Sequence, residues 1–229
     1  MRFGRKYTKK MGEENHMSTV LSIRKQRGTV RVELEDEPAL RIPPPLFRER
    51  PLRAGDELDV AKHVEWMGER GYRFALDTAV AYLAARPRTA HEIDARLEQA
   101  GYGEATRERV AARLVEAGYL NDAEFASRWA LSRSSRALGS RRIAQELQKK
   151  GVDRDTIASA LSQVDEEEEL RTAAAHAEKL LARTRGKDER DVRRKVQMAL
   201  ARRGYNWDVV RAAMERAGAE AEEADEWDD

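Results

Sequence analysis

The sequence predicts a mainly α chain: a tandem array of three three-helix repeats with a small N-terminal β segment. Three observations predict it. From Asp77 onward the periodicity is helical, and no proline follows Pro87. A glycine-centred pattern recurs at Leu97, Leu147 and Leu200, 50 and then 53 residues apart. Two-residue alternation, the mark of a half-buried strand, is confined to the region before Ile42. Composition agrees. Of 229 residues, 37% are charged and 6% aromatic, and the mean hydropathy is −0.79. Core material is therefore mostly Ala, Leu, Val and Ile, which suits a row of small helical modules better than one thick globule.

Taken in order, residues 1–18 are expected to form a disordered basic arm. "MRFGRKYTKKMGEENHM" has basic residues but no apolar stretch after them, so it does not read as a signal peptide, and Met17 is a second candidate start. Residues 19–76 are expected to hold a small β segment plus a short helix. Val30, Val32 and Leu34 alternate with Arg31, Glu33 and Glu35, "RKQRG" and "EDEP" read as turns, and "IPPP" at 42–45 should stop any sheet or helix. "RAGDELDV" then leads into a helix near 57–68.

The repeats follow at 77–121, 122–165 and 166–218, with a disordered acidic tail at 219–229. Each repeat has a leading helix (near 77–86, 123–136 and 167–185), a glycine-terminated helix, and a trailing helix (near 105–117, 154–163 and 207–217). Thr89 and Glu92 have capping-box spacing, and Asp122, Asp153 and Asn206 are placed to cap later helices. The structural repeat is Ile93–Leu97–Gly101–Tyr102, then Ile143–Leu147–Gly151–Val152, then Val196–Leu200–Gly204–Tyr205. Such spacing has a cause. A helix commonly ends with glycine in the left-handed conformation, and the next apolar residue folds back onto the side chain four before the glycine. Leu114, Gly118 and Tyr119 give a fourth instance inside the first repeat. Modules of this size hold little core alone, so neighbours should pack into an elongated array.

Charge is segregated although the net charge is only +1. Arg128 to Lys150 holds seven basic residues and one acid, Glu146; Arg183 to Arg203 holds nine basic and three acidic. Against these stand "DEEEE" at 165–169 and "EAEEADEWDD" at 220–229, the latter with seven acids and no base. On the helix "RRIAQELQKKGV", Ile143 and Leu147 must face the core, so most of Arg141, Arg142, Lys149 and Lys150 face outward. The same holds for Arg193, Arg194, Lys195, Arg202 and Arg203. Any one of these cations could be no more than a solvated face. Two repeats presenting the same basic helix point to a shared anionic partner.

Other chemistry is poorly supported. There is no cysteine, so disulfides and thiolate metal sites are excluded and a reducing, cytoplasmic setting fits. No apolar run approaches the roughly 20 residues of a membrane span. His16, His63, His91 and His176 are scattered, with no ligand spacing. "RTRGKDER" lacks the phosphate-loop spacing. No carboxylate stands in an apolar setting that would tune a catalytic acid. No enzymatic role and no cofactor are expected. Mixed Gln, Arg and Lys on the basic helices are weak material for base-specific readout. Tyr82 and Trp129 sit at apolar positions and read as core; Trp66 and Trp207 are less clear, and Trp227 lies in the acidic tail.

The segments "AYLAARPRTAHEIDARLEQAGY", "AGYLNDAEFASRWALSRS", "LGSRRIAQELQKKGVDRDTIASAL" and "ALARRGYNWDVVRAAM" resemble the RecX family, bacterial regulators of the RecA recombinase. The resemblance covers about residues 19–217. It implies three tandem three-helix repeats and a monomer that binds along the groove of the RecA–DNA filament. Such binding would modulate, mostly inhibit, ATP hydrolysis, strand exchange and co-protease activity in recombination, DNA repair and the SOS response. Single- and double-stranded DNA would be weaker, largely non-specific partners. The contacting residues implied are Arg133, Arg136, Arg141, Arg142, Lys149, Lys150, Arg193, Arg194, Lys195, Arg202 and Arg203. The alternative is a general DNA-binding helical protein that acts by competing for DNA. Thr106 and Arg107 depart from the family's apolar pattern, which predicts a shifted or looser trailing helix in the first repeat.

Overall fold

The computed structural model describes residues 17–183 and 188–226, with side chains as far as Gly218. Of the basic arm expected at residues 1–18, residues 1–16 lie outside the described residues, and Met17 and Ser18 belong to a strand instead. The chain divides into two compact units on either side of the Asn121–Asp122 bond.

The first unit begins with strands β1 (Met17–Gln26), β2 (Thr29–Leu34) and β3 (Leu40–Ile42), joined by β4 (Glu57–Asp59) in an antiparallel sheet of order β3-β2-β1-β4. The meander is where the alternation placed it, and Val30, Val32 and Leu34 all face the core. β4 was not legible, because three residues are too few to show a period.

"IPPP" ends the strand at Ile42, as expected, but does not stop a helix. It starts one: α1 (Pro44–Glu49) has prolines in its first turn, where the missing N–H would be unpaired in any helix. A second correction concerns α2 (Val60–Ala85), a single helix of 26 residues where the sequence suggested helices at 57–68 and 77–86. Gly68 and Gly71 lower helix propensity but, unlike proline, remove no hydrogen bond. A Cβ at Gly71 would lie 3.4 Å from Leu46 Cδ1 and 3.6 Å from Tyr102 Cδ1, ordinary contact distances, so packing there does not demand glycine.

The C-terminal half of α2 packs with α3 (Ala90–Gln99) and α4 (Glu104–Glu116) around Ala75, Ala79, Ile93, Leu97, Val110 and Leu114. The capping box opens α3: Thr89 Oγ1 accepts from the Glu92 amide, and the Glu92 carboxylate accepts from the Thr89 amide. α4 is neither broken nor short. Thr106 is buried, and Arg107 donates to Asp94 on α3 (2.7 Å) and to the Tyr102 carbonyl (3.2 Å). Polar groups at those positions are satisfied by partners, so the helix does not loosen.

The second unit holds two three-helix sets. The first is α5 (Asp122–Ser134), α6 (Ser140–Lys149) and α7 (Arg154–Leu161); the second is α8 (Glu166–Ala182), α9 (Glu189–Arg203) and α10 (Trp207–Glu226). One core gathers Ala126, Ala130, Ile143, Leu147, Val152 and Ile157, the other Ala173, Ala177, Val196, Leu200, Tyr205, Val210 and Met214. Asp153 caps α7 by accepting from the Thr156 amide. Asp122 is already the first residue of α5, and the side-chain amide of Asn206 donates to Ser140 Oγ. The expected disordered tail is corrected in part: α10 continues through Glu226, because alanine and glutamate favour helix and no proline intervenes. Residues 227–229 lie outside the described residues.

The glycine rule accounts for all four stops. Gly101, Gly118, Gly151 and Gly204 have φ of +94°, +74°, +78° and +92°. In each case the following amide donates to the carbonyl four residues before the glycine, as from Tyr102 to Leu97 and from Val152 to Leu147. Tyr102, Val152 and Tyr205 are buried, as the fold-back requires. Tyr119 is the exception, 68% exposed. Leu120 takes the inward place instead, and its amide also donates to Leu114.

Candidate functional site

In the second unit the two basic helices meet end to end. The amides of Gly139 and Arg141, at the start of α6, donate to the carbonyls of Arg203 and Gly204 at the end of α9. Free amides of one helix thus pair with free carbonyls of the other, and the two dipoles align. The approach admits no side chain. A Cβ on Gly204 would lie 2.3 Å from Arg142 Cβ, and one on Gly139 would lie 2.3 Å from the Tyr205 amide nitrogen. Glu169 of α8 accepts from the Ser140 amide at the same junction. Arg202, Arg141 and Arg142 are therefore gathered where α9 passes into α6.

The eleven cations expected at the site divide into two groups. Some are used inside the protein. Glu146 accepts from Arg133 Nε (2.8 Å) and Trp129 Nε1 (3.1 Å), and Arg142 stands 3.8 Å from it. Arg133 and Lys150 lie over the Trp129 ring, at 4.2 and 4.6 Å from its centroid, and Phe125 stacks on Trp129 at 5.6 Å. Arg203 donates to the carbonyl of Ala137, a residue held at φ +57°. The others face solvent: Arg136, Arg141 and Lys149 near α6, and Arg193, Arg194, Lys195 and Arg202 on α9. Arg193 and Arg194 reach only loose partners on their own helix, Glu189 at 3.4 Å and Asp191 at 3.5 Å. An open cleft of about 400 Å³ on α9 is lined by Arg194, Lys195, Met198 and Arg202.

α8 adds cations that the sequence did not single out. Lys179 and Arg183 are exposed on it. The His176 imidazole is held below its ordinary pKa, first by burial and then by Arg203, Lys179 and Arg183. Lys179 and Arg183 stand three and seven residues beyond His176, a spacing that shares one helix face; the signal was there but was masked by the acidic run before it. Tyr82 and Trp129 are half-buried against the cores, as expected, yet each also carries a guanidinium, Arg88 standing 3.8 Å from the Tyr82 ring centroid. Trp66 packs on the N-terminal core, and Trp207 is 52% exposed. Among the described residues no cluster of His, Asp or Glu could hold a metal, and no helix is long and apolar enough to cross a membrane.

What this surface can do chemically is attract anions; comparison with known proteins identifies the family of the chain. Residues 75–114, 121–161 and 166–214 match the first, second and third three-helix domains of RecX. The chain is 34% identical over 158 residues to a regulatory protein RecX of Amycolatopsis mediterranei, covering 67% of this chain and 90% of that one. It is 39% identical over 145 residues to the Mycolicibacterium smegmatis RecX, covering 59% and 77%. With the Bacillus subtilis RecX the identity is 29% over 191 residues, covering 83% and 72%. Among solved structures, RecX from Lactobacillus salivarius superposes with a TM-score of 0.62 at 21% identity, over 65% of this chain and 97% of that one, and supports the fold alone. Three matched domains in order, on a chain whose repeats end at the same glycine stop, show that the protein belongs to the RecX family of regulatory proteins.

Proposed function

We propose that this protein is a non-enzymatic regulator of the RecA recombinase: it binds the RecA–DNA filament and holds down ATP hydrolysis, strand exchange and co-protease activity. The observation that supports this reading, beyond family membership, is the set of solvent-facing cations around the α9–α6 junction. Among the described residues Arg141, Lys195 and Arg202 have no ion-pair partner, and their exposed side chains can meet phosphates or acidic side chains of a filament. No reacting group is needed. A molecule seated along the filament acts by fixing the arrangement of neighbouring protomers or by blocking the second strand. Several weak contacts from linked modules add through high effective concentration. The protein acts in the cytoplasm as a monomer, with naked single- and double-stranded DNA as weaker, largely non-specific partners.

The competing reading is a DNA-binding helical protein that displaces RecA by coating DNA. Exposed cations favour it equally, so affinity must separate the two. Titration into RecA assembled on single-stranded DNA, read as ATP hydrolysis, is compared with anisotropy on the same DNA without recombinase. The filament reading expects hydrolysis to fall well below the concentration that saturates naked DNA. Loss only where the DNA itself is coated supports competition.

A further inference from the structure

The tryptophans of this protein are not used alike. Arg50 stands over the Trp66 ring and Arg133 over the Trp129 ring, 5.7 and 4.2 Å from their centroids, and each indole also meets a second ring, His63 or Phe125. Both pack on a core. Trp207 differs on every count. It is the first residue of α10 and 52% exposed. The core face of α10 is made by Val210, Ala213, Met214 and Ala217 instead. Among the described residues no ring stacks on the Trp207 indole and no cation stands over it. An indole so exposed adds nothing to the fold.

Its position gives the bare ring a use. Asn206, the residue before it, donates from its side-chain amide to Ser140 Oγ at 3.3 Å, so the start of α10 lies against the start of α6. Arg141 follows Ser140, and its amide donates to the carbonyl of Gly204, three residues before Trp207. Arg141 and Arg202 are both exposed at this junction. Two acids stand here as well, and both are engaged: Asp208 pairs with Arg211 (2.6 Å), and Glu169 accepts from the Ser140 amide. What faces solvent is an uncovered indole bordered by cations. An acidic protein segment matches the cations alone. A duplex also matches only the cations, because its base faces are stacked inside it. A single strand offers phosphates and open base faces together. We infer that Trp207 is a stacking platform for one base of single-stranded nucleic acid, with Arg141 and Arg202 meeting the adjoining phosphates. The inference rests on the reading of the junction as an anion-binding surface, and it adds a contact that only single strands make.

Anisotropy without recombinase tests it on three labelled ligands of equal length: an oligothymidylate, the same sugar–phosphate chain lacking bases, and a duplex. Trp207→Ala is expected to bind the oligothymidylate about fivefold more weakly or worse, the lower end of what a base–aromatic stack contributes. Its affinity for the base-free chain and the duplex should match wild type. Its salt slope should also match, since no phosphate contact is lost. Trp207→Phe, which keeps an aromatic face, should recover most of the affinity. Indole emission gives a second measurement. Oligothymidylate is expected to quench wild type and to quench Trp207→Phe far less, although that variant keeps every other tryptophan. Wild-type affinity of Trp207→Ala for the oligothymidylate overturns the inference. So does an equal loss on the base-free chain, or quenching that persists in Trp207→Phe. Inhibition of the recombinase lost in Trp207→Ala with oligothymidylate binding unchanged assigns the indole to a protein contact and overturns it too. Failed stacking leaves filament inhibition by wild type where it stood, and failed filament inhibition leaves the stacking result intact.

Discussion

Helices α6 and α9 look alike in sequence and are used differently. Both are short basic helices ending at a left-handed glycine, with apolar residues four apart against the core. Around α6, Arg133, Arg142 and Lys150 converge on Glu146 and Trp129, so charge holds α5 and α6 together. On α9, Arg194, Lys195 and Arg202 flank an open cleft, and among the described residues the only ion pair of the three is the loose one from Arg194 to Asp191 on the same helix. A count of basic residues therefore does not separate cations that build from cations that bind; the position of a single acid, Glu146, does.

That contrast can be broken from several directions. The largest effect is expected from Leu147→Asp, which puts an unpaired carboxylate into a core where Leu147 is fully buried. The cost of burying such a charge is several kcal/mol, enough to unfold the second repeat, and a circular-dichroism melt identical to wild type contradicts it. Gly204→Val attacks the junction itself. Left-handed strain of about 1–2 kcal/mol adds to overlap with the Arg142 backbone, where the new Cβ would sit 2.4 Å from its nitrogen. Gly118→Val is the control, since nothing lies within 4 Å of its Cβ; urea unfolding should show Gly204→Val clearly the worse.

Glu146→Ala leaves Trp129 Nε1 and Arg133 without their acceptor and is expected to cost about 1–3 kcal/mol. Lys195→Ala should leave the melt within about 0.5 kcal/mol and lower the salt slope of DNA binding by about 0.7–0.9. If Lys195→Ala melts as early as Glu146→Ala, the division between building and binding is wrong. Arg141→Glu with Arg142→Glu tests the shared ground at the junction. The fold is expected to survive, because both side chains are exposed, while filament inhibition weakens.

Acid gives a control in the other unit. His63 is fully buried with neither ring nitrogen hydrogen-bonded, and burial together with Arg50 lowers its pKa to about 4. Because the folded pKa lies below the unfolded one, the unfolded chain binds the proton more readily. Stability is intact above about pH 6.5 and falls as pH drops towards 4, by about 3 kcal/mol in all. Replacing His63 with leucine should flatten that profile in the first unit and leave the second unchanged.

Much of the fold was legible because its punctuation is chemical: four glycines stop four helices, and Thr89 with Glu92 starts another. The misreadings came where context overrides local preference. Pro44 and Pro45 open α1 because the first turn tolerates them, and α2 runs through Gly68 and Gly71 because neither removes a backbone donor. At the candidate site the basic helices were visible in the sequence, but their partition was not. It depends on pairs such as Arg133–Glu146 and Arg203–Ala137, 13 and 66 residues apart, which no periodicity reveals.

The central claim, that the solvent-facing cations of α9 form the contact surface, is tested most directly by Arg194→Glu, Lys195→Glu and Arg202→Glu combined in one chain. Its melting temperature and its inhibition of RecA ATP hydrolysis on single-stranded DNA would be measured side by side with wild type. An unchanged melt with inhibition shifted by about tenfold or more, the scale of a lost 1.4 kcal/mol, is the predicted result. Wild-type inhibition from a folded triple variant would contradict the account and return the contact surface to α6 or to the first unit.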